Sequence, residues 1–376
     1  MSEKSSLVSL HQEVDQGTLC RIKARLAHIM QLWSAGKPFF PRALLEDLNR
    51  QIDAGQDEVY ITDLDDVRQK YSLTVPKWCA DFANTYRINY SSIQHLGHLT
   101  PIYPELALRN DHTPVSIVYA RSMPSPGQCT LEQVQARFTH TRTLWLGSST
   151  RRDLERIVST LPLSAPITKI VCFALGSLAP LDDSDSEGSI STSLSNSILD
   201  TSSTSTLNAS PVRCTFTRHV TRAHAQHAAV ETMLTALRSR GMLAPGAQCI
   251  AQDPAYDAVD CAFLSSIGIR VVDDPKGFLE VDATTLVLSV SPNVPVKQIL
   301  ADVQWPAAMV WNTVALVEKE SEGWVKNVEE NGEVQWSSPF TTDPDCARVR
   351  DMIKGYARAT LDDGNDFFGD ITVYMK

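Results

Sequence analysis

Several patterns that would assign a protein class at once are missing from this sequence. No window approaches about eighteen consecutive apolar residues, so no transmembrane helix is expected. The N-terminal stretch MSEKSSLVSLHQEVDQG has no apolar core of the signal-peptide type. The eight cysteines are scattered without a CxxC pair, which argues against a zinc ribbon and against a disulfide framework. These absences predict a reduced, cytoplasmic protein that does not enter a membrane.

Motifs for nucleotide and covalent chemistry are also missing. No GxGxxG follows the first predicted strand of the regular α/β region, and the chain has neither a P-loop nor a GxSxG nucleophile elbow. His224 and His227 lie three positions apart, but no further ligands at metal-site spacing accompany them. We therefore expect no cofactor and no metal. The net charge of −10 argues against general nucleic-acid binding, although it leaves room for a local basic patch.

Composition divides the 376 residues into three regions. Residues 1–160 mix helical and strand patterns, residues 161–320 have the most regular pattern, and residues 321–376 form an acidic C-terminal extension. A stretch rich in Ser, Thr, Asp and Asn, 182–210, interrupts the middle region. It cannot bury enough apolar surface to offset its ordering entropy, so a disordered insertion is expected there.

Apolar periodicity gives a coarse prediction for the first region. Helical spacing predicts helices at 19–33, 42–51 and 151–160. Alternation of apolar and polar residues predicts strands at Val115–Ala120 and at 141–146.

The middle region predicts the fold. The run KIVCFALGS at 169–177 is of buried-strand type, and further strands are predicted at 248–253, 270–274, 285–290 and 309–314. These runs are nearly continuous in Val, Ile and Leu, as expected for strands that are buried on both faces. Helical patterns separate the strands, which implies parallel order with right-handed crossovers. The sequence therefore predicts an α/β three-layer sandwich with a mostly parallel, Rossmann-like sheet, preceded by a mixed α/β region.

Polar residues follow the predicted strands at their carboxyl ends. In open α/β sheets ligands bind at this edge, so side chains that converge there are candidates for substrate binding. The candidates are Gly176, Ser177, Asp253, Asn312 and the tip Ser291–Asn293.

Acidic residues form a second group of candidates. Asp273 and Asp274 end one strand, and Glu280 follows them. Crowded carboxylates raise one another's pKa, so one can hold a proton while another acts as a base. The alternative interpretation is an ordinary strand exit, since Asp and Pro are favoured in turns.

The helix predicted at 218–241 begins with basic residues. Arg218 and Arg222 lie near its start, where free N–H groups and the helix dipole would help to bind phosphate. The same residues could equally form the solvated start of a helix.

Taken in order, these motifs resemble a known family. The series KIVCFALGSL, a long helix, QDPAYDAVDCAFLSSIGIRVVDD, TTLVLSVSPNVPVKQIL and MVWN is similar to the SRR-like (sensitivity to red light reduced) domain. The upstream LWSAGKPFFPRALLEDL resembles the N-terminal part of fungal members. The similarity covers roughly residues 20–50 and 165–317.

Within that family, fungal chains of this layout resemble arginine-containing cyclodipeptide synthases. The resemblance implies that aminoacyl-tRNAs, including arginyl-tRNA, are the partners and that a diketopiperazine of secondary metabolism is the product. It implies a catalytic acidic motif at Asp273, Asp274 and Glu280, whose aspartates would serve as base or as arginine clamp. It also implies tRNA contacts on a basic surface, for which Arg218 and Arg222 are candidates. The alternative is a non-catalytic regulatory or interaction protein with the same fold.

Overall fold

The structure is a computed structural model that describes residues 14–121, 129–179, 218–317, 324–328 and 334–376. The predicted insertion at 182–210 lies outside the described residues. In the described part of the chain, no helix is long and apolar enough to cross a lipid bilayer.

Between residues 167 and 312, strands and helices alternate along the described chain. The α-helices are α1 Gln16–Ser34, α2 Arg42–Asp53, α3 Ile93–Gly97, α4 Leu131–Gly147, α5 Ser149–Thr160, α6 Arg218–Ser239, α7 Ala258–Ser266, α8 Lys276–Glu280, α9 Val296–Val303 and α10 Ala347–Ile353. The strands are β1 Glu58–Thr62, β2 Arg68–Ser72, β3 Thr85–Tyr90, β4 Val115–Ala120, β5 Ile167–Phe173, β6 Leu243–Gln252, β7 Ile269–Val271, β8 Thr285–Ser289, β9 Ala308–Asn312, β10 Val325–Val328, β11 Val334–Ser337, β12 Ala357–Thr360 and β13 Ile371–Met375. Short 3₁₀ turns lie at Lys77–Cys79 and Pro104–Leu108.

A seven-stranded sheet with the order β12-β13-β9-β8-β5-β6-β7 forms the centre. The five strands from β9 to β7 run parallel, and β13 pairs antiparallel with β9 and with β12. The predicted three-layer α/β sandwich with a mostly parallel sheet is confirmed. The last two strands come from the stretch 321–376, which composition marked only as an acidic extension.

Both faces of the sheet are covered, as the apolar runs predicted. Along β5, Ile170 and Cys172 face a cluster that includes α4 to α7, whereas Val171 and Phe173 face a second cluster that includes α2, α8, α9 and α10. Each of these four side chains is almost fully buried. A strand of this kind carries no alternation, because neither of its faces meets water.

The N-terminal region packs on the second face. The backbone N–H groups of Phe39 and Phe40 donate to Asp302 at 2.6 and 3.1 Å. Arg348 donates to the same carboxylate at 2.8 Å, and its guanidinium lies 3.6 Å from the ring centroid of Trp33. The KPFFP segment at 37–41, which lies between α1 and α2, therefore holds this region against the sheet.

The predicted strand at 141–146 is wrong. These residues lie in α4, which starts with a capping box in which Thr130 and Gln133 bond each other's backbone N–H groups. Val134, Phe138 and Trp145 on α4 are buried, at spacings that suit one helix face. The short alternating run TRTLWL mimics a strand only when these upstream signals are ignored.

Candidate functional site

The direction in which the chain adds strands to the sheet reverses between β5 and β8. From β5 the chain passes through α6 to β6 on one side, whereas β8 pairs with β5 on the other side. The first residue beyond β5, Ala174, has φ +56°, and Ser291, shortly after β8, has φ +46°. Residues other than glycine rarely adopt this conformation, and such strain clusters at functional sites. The carboxyl edge around β5 is therefore the place to look for a site.

Gly176 and Asp253 meet at this edge, as predicted. The carboxylate of Asp253 accepts the N–H of Gly176 and the N–H of Ala255, both at 2.8 Å. Gly176 has φ +79°, a conformation that favours glycine. Burial raises the pKa of Asp253, although these two hydrogen bonds oppose the shift. Asp253 thus holds the loop that follows β5.

Ser177 lies in the same loop, next to an acid that the sequence interpretation missed. Its hydroxyl bonds the backbone of Ala179 in a tight turn. Asp260 on α7 is fully buried and accepts the N–H of Leu178 at 2.8 Å, and burial raises its pKa. The pattern DAVD at 257–260, a capping box at the start of α7, is the signal that could have identified Asp260.

Asp274 is partly buried, and two neutral donors hold it. One oxygen of its carboxylate, Oδ1, accepts the hydroxyl of Tyr90 at 2.7 Å and the amide Nε2 of Gln252 at 3.0 Å. The other end of that amide, Oε1, accepts the N–H of Gly277 at 2.6 Å, so the orientation of Gln252 is fixed. Burial raises the pKa of Asp274 to about 7, and the two hydrogen bonds only moderate the shift. Its neighbour Asp273 is exposed.

Gly277 makes this arrangement possible. A Cβ at this position would lie 2.6 Å from Oε1 of Gln252 and 3.0 Å from the ring of Phe173. Any larger side chain would therefore displace the amide that holds Asp274.

A hairpin from the N-terminal region completes the site. Tyr86 and Tyr90 lie on β3 at positions that share one face of the strand. Burial raises the pKa of Tyr86, and the nearby charges of Asp273 and Asp274 add to the shift. Arg87, between them, lowers the pKa of Asp253 electrostatically against the effect of burial. Sequence interpretation identified neither this strand nor these residues, because no local pattern specifies where a hairpin docks.

Asn312 lies at the same edge but not beside Asp274. Its Oδ1 accepts the N–H of Ser291 at 2.8 Å, so it supports the strained turn after β8. It ends β9, four strands away from β7 in the sheet, which is roughly 19 Å at normal strand spacing. Asn312 therefore belongs to the far half of the edge.

Glu280 points away from the carboxyl edge. It ends α8, and its carboxylate accepts Nζ of Lys169 at 3.2 Å and the guanidinium of Arg270 at 2.8 Å. Lys169 lies in the first half of β5, toward the amino ends of the strands. Partial burial of Glu280 favours a higher pKa, but the hydrogen bonds from Arg270 and Lys169 outweigh it and lower the pKa of Glu280. The structure thus separates Glu280 from Asp273 and Asp274.

The basic and histidine residues that the sequence analysis singled out on α6 have different surroundings. Arg222 donates to the carbonyl of Phe367 at 3.3 Å and is partly buried. Arg218 begins α6, but its side chain lies outside the described part. His227 is buried with Nδ1 at 2.7 Å from the carbonyl of Ala223, so its Nε2 accepts the hydroxyl of Tyr256, and burial lowers its pKa to about 4.

Metal binding finds no support among the residues that the structure describes. No group of three or more His, Cys, Asp or Glu side chains in these ranges could hold an ion.

Comparison with known proteins identifies the family. The family model of the SRR1 domain matches residues 133–356, which is more than half of the chain. Neither the curated proteins nor the solved structures gave a match. The matched segment runs from the start of α4 to α10 and holds Gly176, Asp253 and Asp274, whereas the hairpin that carries Tyr90 precedes it. The chain belongs to the SRR1 domain family.

Proposed function

We propose that the protein is a transfer-RNA-dependent cyclodipeptide synthase that joins arginine to a second amino acid. The observation that carries the proposal is Asp274, a carboxylate with a pKa near 7 at the carboxyl edge of the sheet. A group with such a pKa can accept a proton at physiological pH and still be partly ionised. The sequence resemblance to arginine-containing cyclodipeptide synthases supplies the reaction class.

Formation of the cyclic dipeptide needs a base, because an amine attacks an ester in each of two steps. The α-amine of one aminoacyl group attacks the ester carbonyl of the other, and the 3′ oxygen of that transfer RNA leaves with a proton. The amine of the resulting dipeptidyl ester then attacks the remaining ester and releases the second transfer RNA. Two aminoacyl-tRNAs thus give one diketopiperazine and two free transfer RNAs. The esters are already activated, so no ATP is consumed.

In this proposal, Asp274 takes a proton from the α-ammonium group of one aminoacyl ester, and the resulting amine attacks the other ester. Tyr90 and Gln252 hold its Oδ1, whereas its Oδ2 accepts no hydrogen bond within the described ranges. Asp273 makes no side-chain hydrogen bond or ion pair within the described ranges and is exposed beside it. A carboxylate of this kind suits the guanidinium of a bound arginine, through bidentate hydrogen bonds. We assign Asp274 the role of base and Asp273 the role of arginine clamp.

A non-catalytic interaction protein is the second candidate. The observation that favours it is an exposed aromatic pair, Trp78 and Phe82, whose side chains are 74% and 57% exposed with ring centroids 6.2 Å apart. Large exposed aromatic side chains that lie together are typical of interaction surfaces.

One assay separates the two candidates. The purified full chain is incubated with transfer RNAs charged with labelled arginine and other amino acids, and cyclic dipeptides are detected by mass spectrometry. A synthase releases a labelled diketopiperazine, and the product disappears when the charged transfer RNAs are replaced by free amino acids and ATP. No product from any charged transfer RNA would contradict the proposal and favour the interaction protein.

A further inference from the structure

The hairpin of β3 and β4 connects Asp274 to the exposed aromatic pair Trp78 and Phe82. Tyr90, whose hydroxyl donates to Asp274 at 2.7 Å, shares one face of β3 with Tyr86. The two tyrosines are four positions apart, which is roughly 13 Å along a strand. The hairpin therefore presents an aromatic face that starts at the candidate site.

Aromatic rings continue from Tyr86 to the exposed pair. Tyr119 of β4 is the direct partner of Tyr86 in the antiparallel ladder, so both side chains project from the same face. The ring centroid of Trp78 lies 6.4 Å from that of Tyr119 and 6.2 Å from that of Phe82. Exposure rises from the buried Tyr90 to Trp78, the most exposed aromatic side chain among the described residues. We call these five residues the aromatic row.

Two cations without partners adjoin the exposed end of the aromatic row. Lys77 immediately precedes Trp78, and Arg121 follows Tyr119 by two positions. Both side chains are exposed, and neither makes a hydrogen bond, ion pair or ring contact within the described ranges. One acid, Asp81, lies close by in sequence. Exposed rings beside free cations are typical of surfaces that bind single-stranded nucleic acid, because bases stack on the rings and phosphates meet the cations.

The proposed substrate supplies such a strand. The aminoacyl ester is attached to the unpaired 3′ end of a transfer RNA, so these nucleotides lie on the surface next to Asp274 when the ester is in place. We propose that Trp78 and Phe82 stack on bases of this unpaired end. Lys77 and Arg121 bind its phosphates, and the aromatic row leads the ester to Asp274. This inference rests on the proposed function.

The test compares the binding of two RNAs to the full chain. One is an uncharged transfer RNA that accepts arginine, and the other is the same RNA after its unpaired 3′ nucleotides have been removed. The proteins are the wild type, Trp78→Ala, Phe82→Ala and the conservative variant Trp78→Phe. The matched control is Trp305→Ala, which removes an exposed tryptophan that precedes β9 at the amino edge of the sheet. Circular dichroism checks that each variant is folded.

The wild type should bind the intact RNA at least about tenfold more tightly than the truncated RNA, since each stacked base adds affinity. Trp78→Ala and Phe82→Ala should each weaken binding of the intact RNA at least about fivefold and leave binding of the truncated RNA unchanged. Trp78→Phe should keep most of the preference, and Trp305→Ala should keep all of it. Lys77→Gln should reduce the slope of log affinity against log salt by roughly 0.7, as for one lost phosphate contact to a single strand.

The failures are distinguishable. Equal binding of both RNAs by the wild type would overturn the stacking surface. Equal losses for both RNAs in Trp78→Ala would show that Trp78 does not contact the unpaired end, which also overturns it. Unchanged binding of the intact RNA by both alanine variants would leave the aromatic pair to a protein partner and overturn the inference. In each of these cases, release of a labelled diketopiperazine from charged transfer RNAs would keep the proposed function. If the wild type bound neither RNA and released no product, the proposed function would fail together with this inference.

Discussion

The carboxylates at the two edges of the central sheet have different kinds of hydrogen-bond partner. At the amino edge, Glu280 and Asp282 both accept Nζ of Lys169, at 3.2 and 3.1 Å, and Glu280 also accepts Arg270. At the carboxyl edge, Asp274 is held by the neutral donors Tyr90 and Gln252.

The pKa values of Asp274 and Asp282 differ in the same direction, although the neutral donor Thr284 lowers the pKa of Asp282 more than Lys169 does. Burial raises the pKa of Asp274 to about 7. Partial burial also opposes ionisation of Asp282, but hydrogen bonds from Thr284, Lys169 and Thr285 lower its pKa to about 2. An acid with cationic partners is stabilised in its charged form and contributes to the fold, whereas an acid without them is available for chemistry.

The largest expected effect is on catalysis. Asp274→Asn keeps the size of the side chain and an acceptor oxygen, but it cannot take a proton. We expect the rate of cyclic dipeptide formation to fall at least about a hundredfold, as for removal of a general base. Single-turnover assays with charged transfer RNA measure this rate, and Glu280→Gln, at the other edge, should keep it. Full activity in Asp273→Asn, Asp274→Asn and the double variant would remove these acids from the mechanism.

The next effect is on stability as a function of pH. The pKa of Asp274 is about 7 in the folded protein, above the unfolded value of about 4, so the group lowers stability as pH rises from about 4 to about 7. Asp274→Asn removes this penalty. Between pH 5 and pH 8 the variant should gain roughly 2 kcal/mol of unfolding free energy relative to the wild type, measured by urea denaturation. Parallel curves for the two proteins would show that Asp274 is not perturbed.

Asp282 should show the opposite slope. Its folded pKa lies below the unfolded value, so it contributes stability above about pH 4, and this contribution is lost as pH falls toward 2. Asp282→Asn should therefore be less stable than the wild type at pH 7, and the two should converge in acid. A loss that did not depend on pH would point to packing rather than to charge.

A smaller effect is expected from Tyr90→Phe. The hydroxyl of Tyr90 lowers the pKa of Asp274 against the effect of burial. Its removal should move the midpoint of the pH–rate profile upward by up to about one unit and lower the rate at pH 7 severalfold. The profile separates this effect from a merely structural one, because a misplaced base would lose rate at every pH.

The smallest effect is expected at the amino edge. Glu280→Gln should lower the free energy of unfolding by about 1 kcal/mol, or about 2–4 °C in melting temperature for a domain of 150–250 residues, without loss of activity. Glu46→Gln, at an exposed ion pair with Arg42, is the matched control and should change less. A loss of product in Glu280→Gln would return Glu280 to the catalytic group.

Local signals were sufficient for the strands and for part of the site. Most residues of the five parallel strands are apolar, and helical patterns separate the strands, so they could be identified without knowledge of their neighbours. Gly176, Asp253 and Asp274 lie within three residues of the ends of those strands, and parallel strands bring their carboxyl ends to one edge. The run at 141–146 misled because six residues are too few to separate a helix from a strand.

Long-range packing decided what the sequence left open. Tyr90 bonds an acid 184 positions further along the chain, and no local pattern specifies where a hairpin docks. Glu280 follows Asp274 closely in sequence, yet α8 carries it back toward the amino edge. Closeness in sequence therefore did not give closeness in space.

The sequence by itself determined the α/β sandwich and the edge at which polar groups gather, because apolar burial and strand direction are encoded over a few residues each. Only the tertiary structure decided which acids meet cations and which are held by neutral donors alone. That distinction depends on desolvation and on partners from distant segments, and it is what separates Asp274 from Glu280.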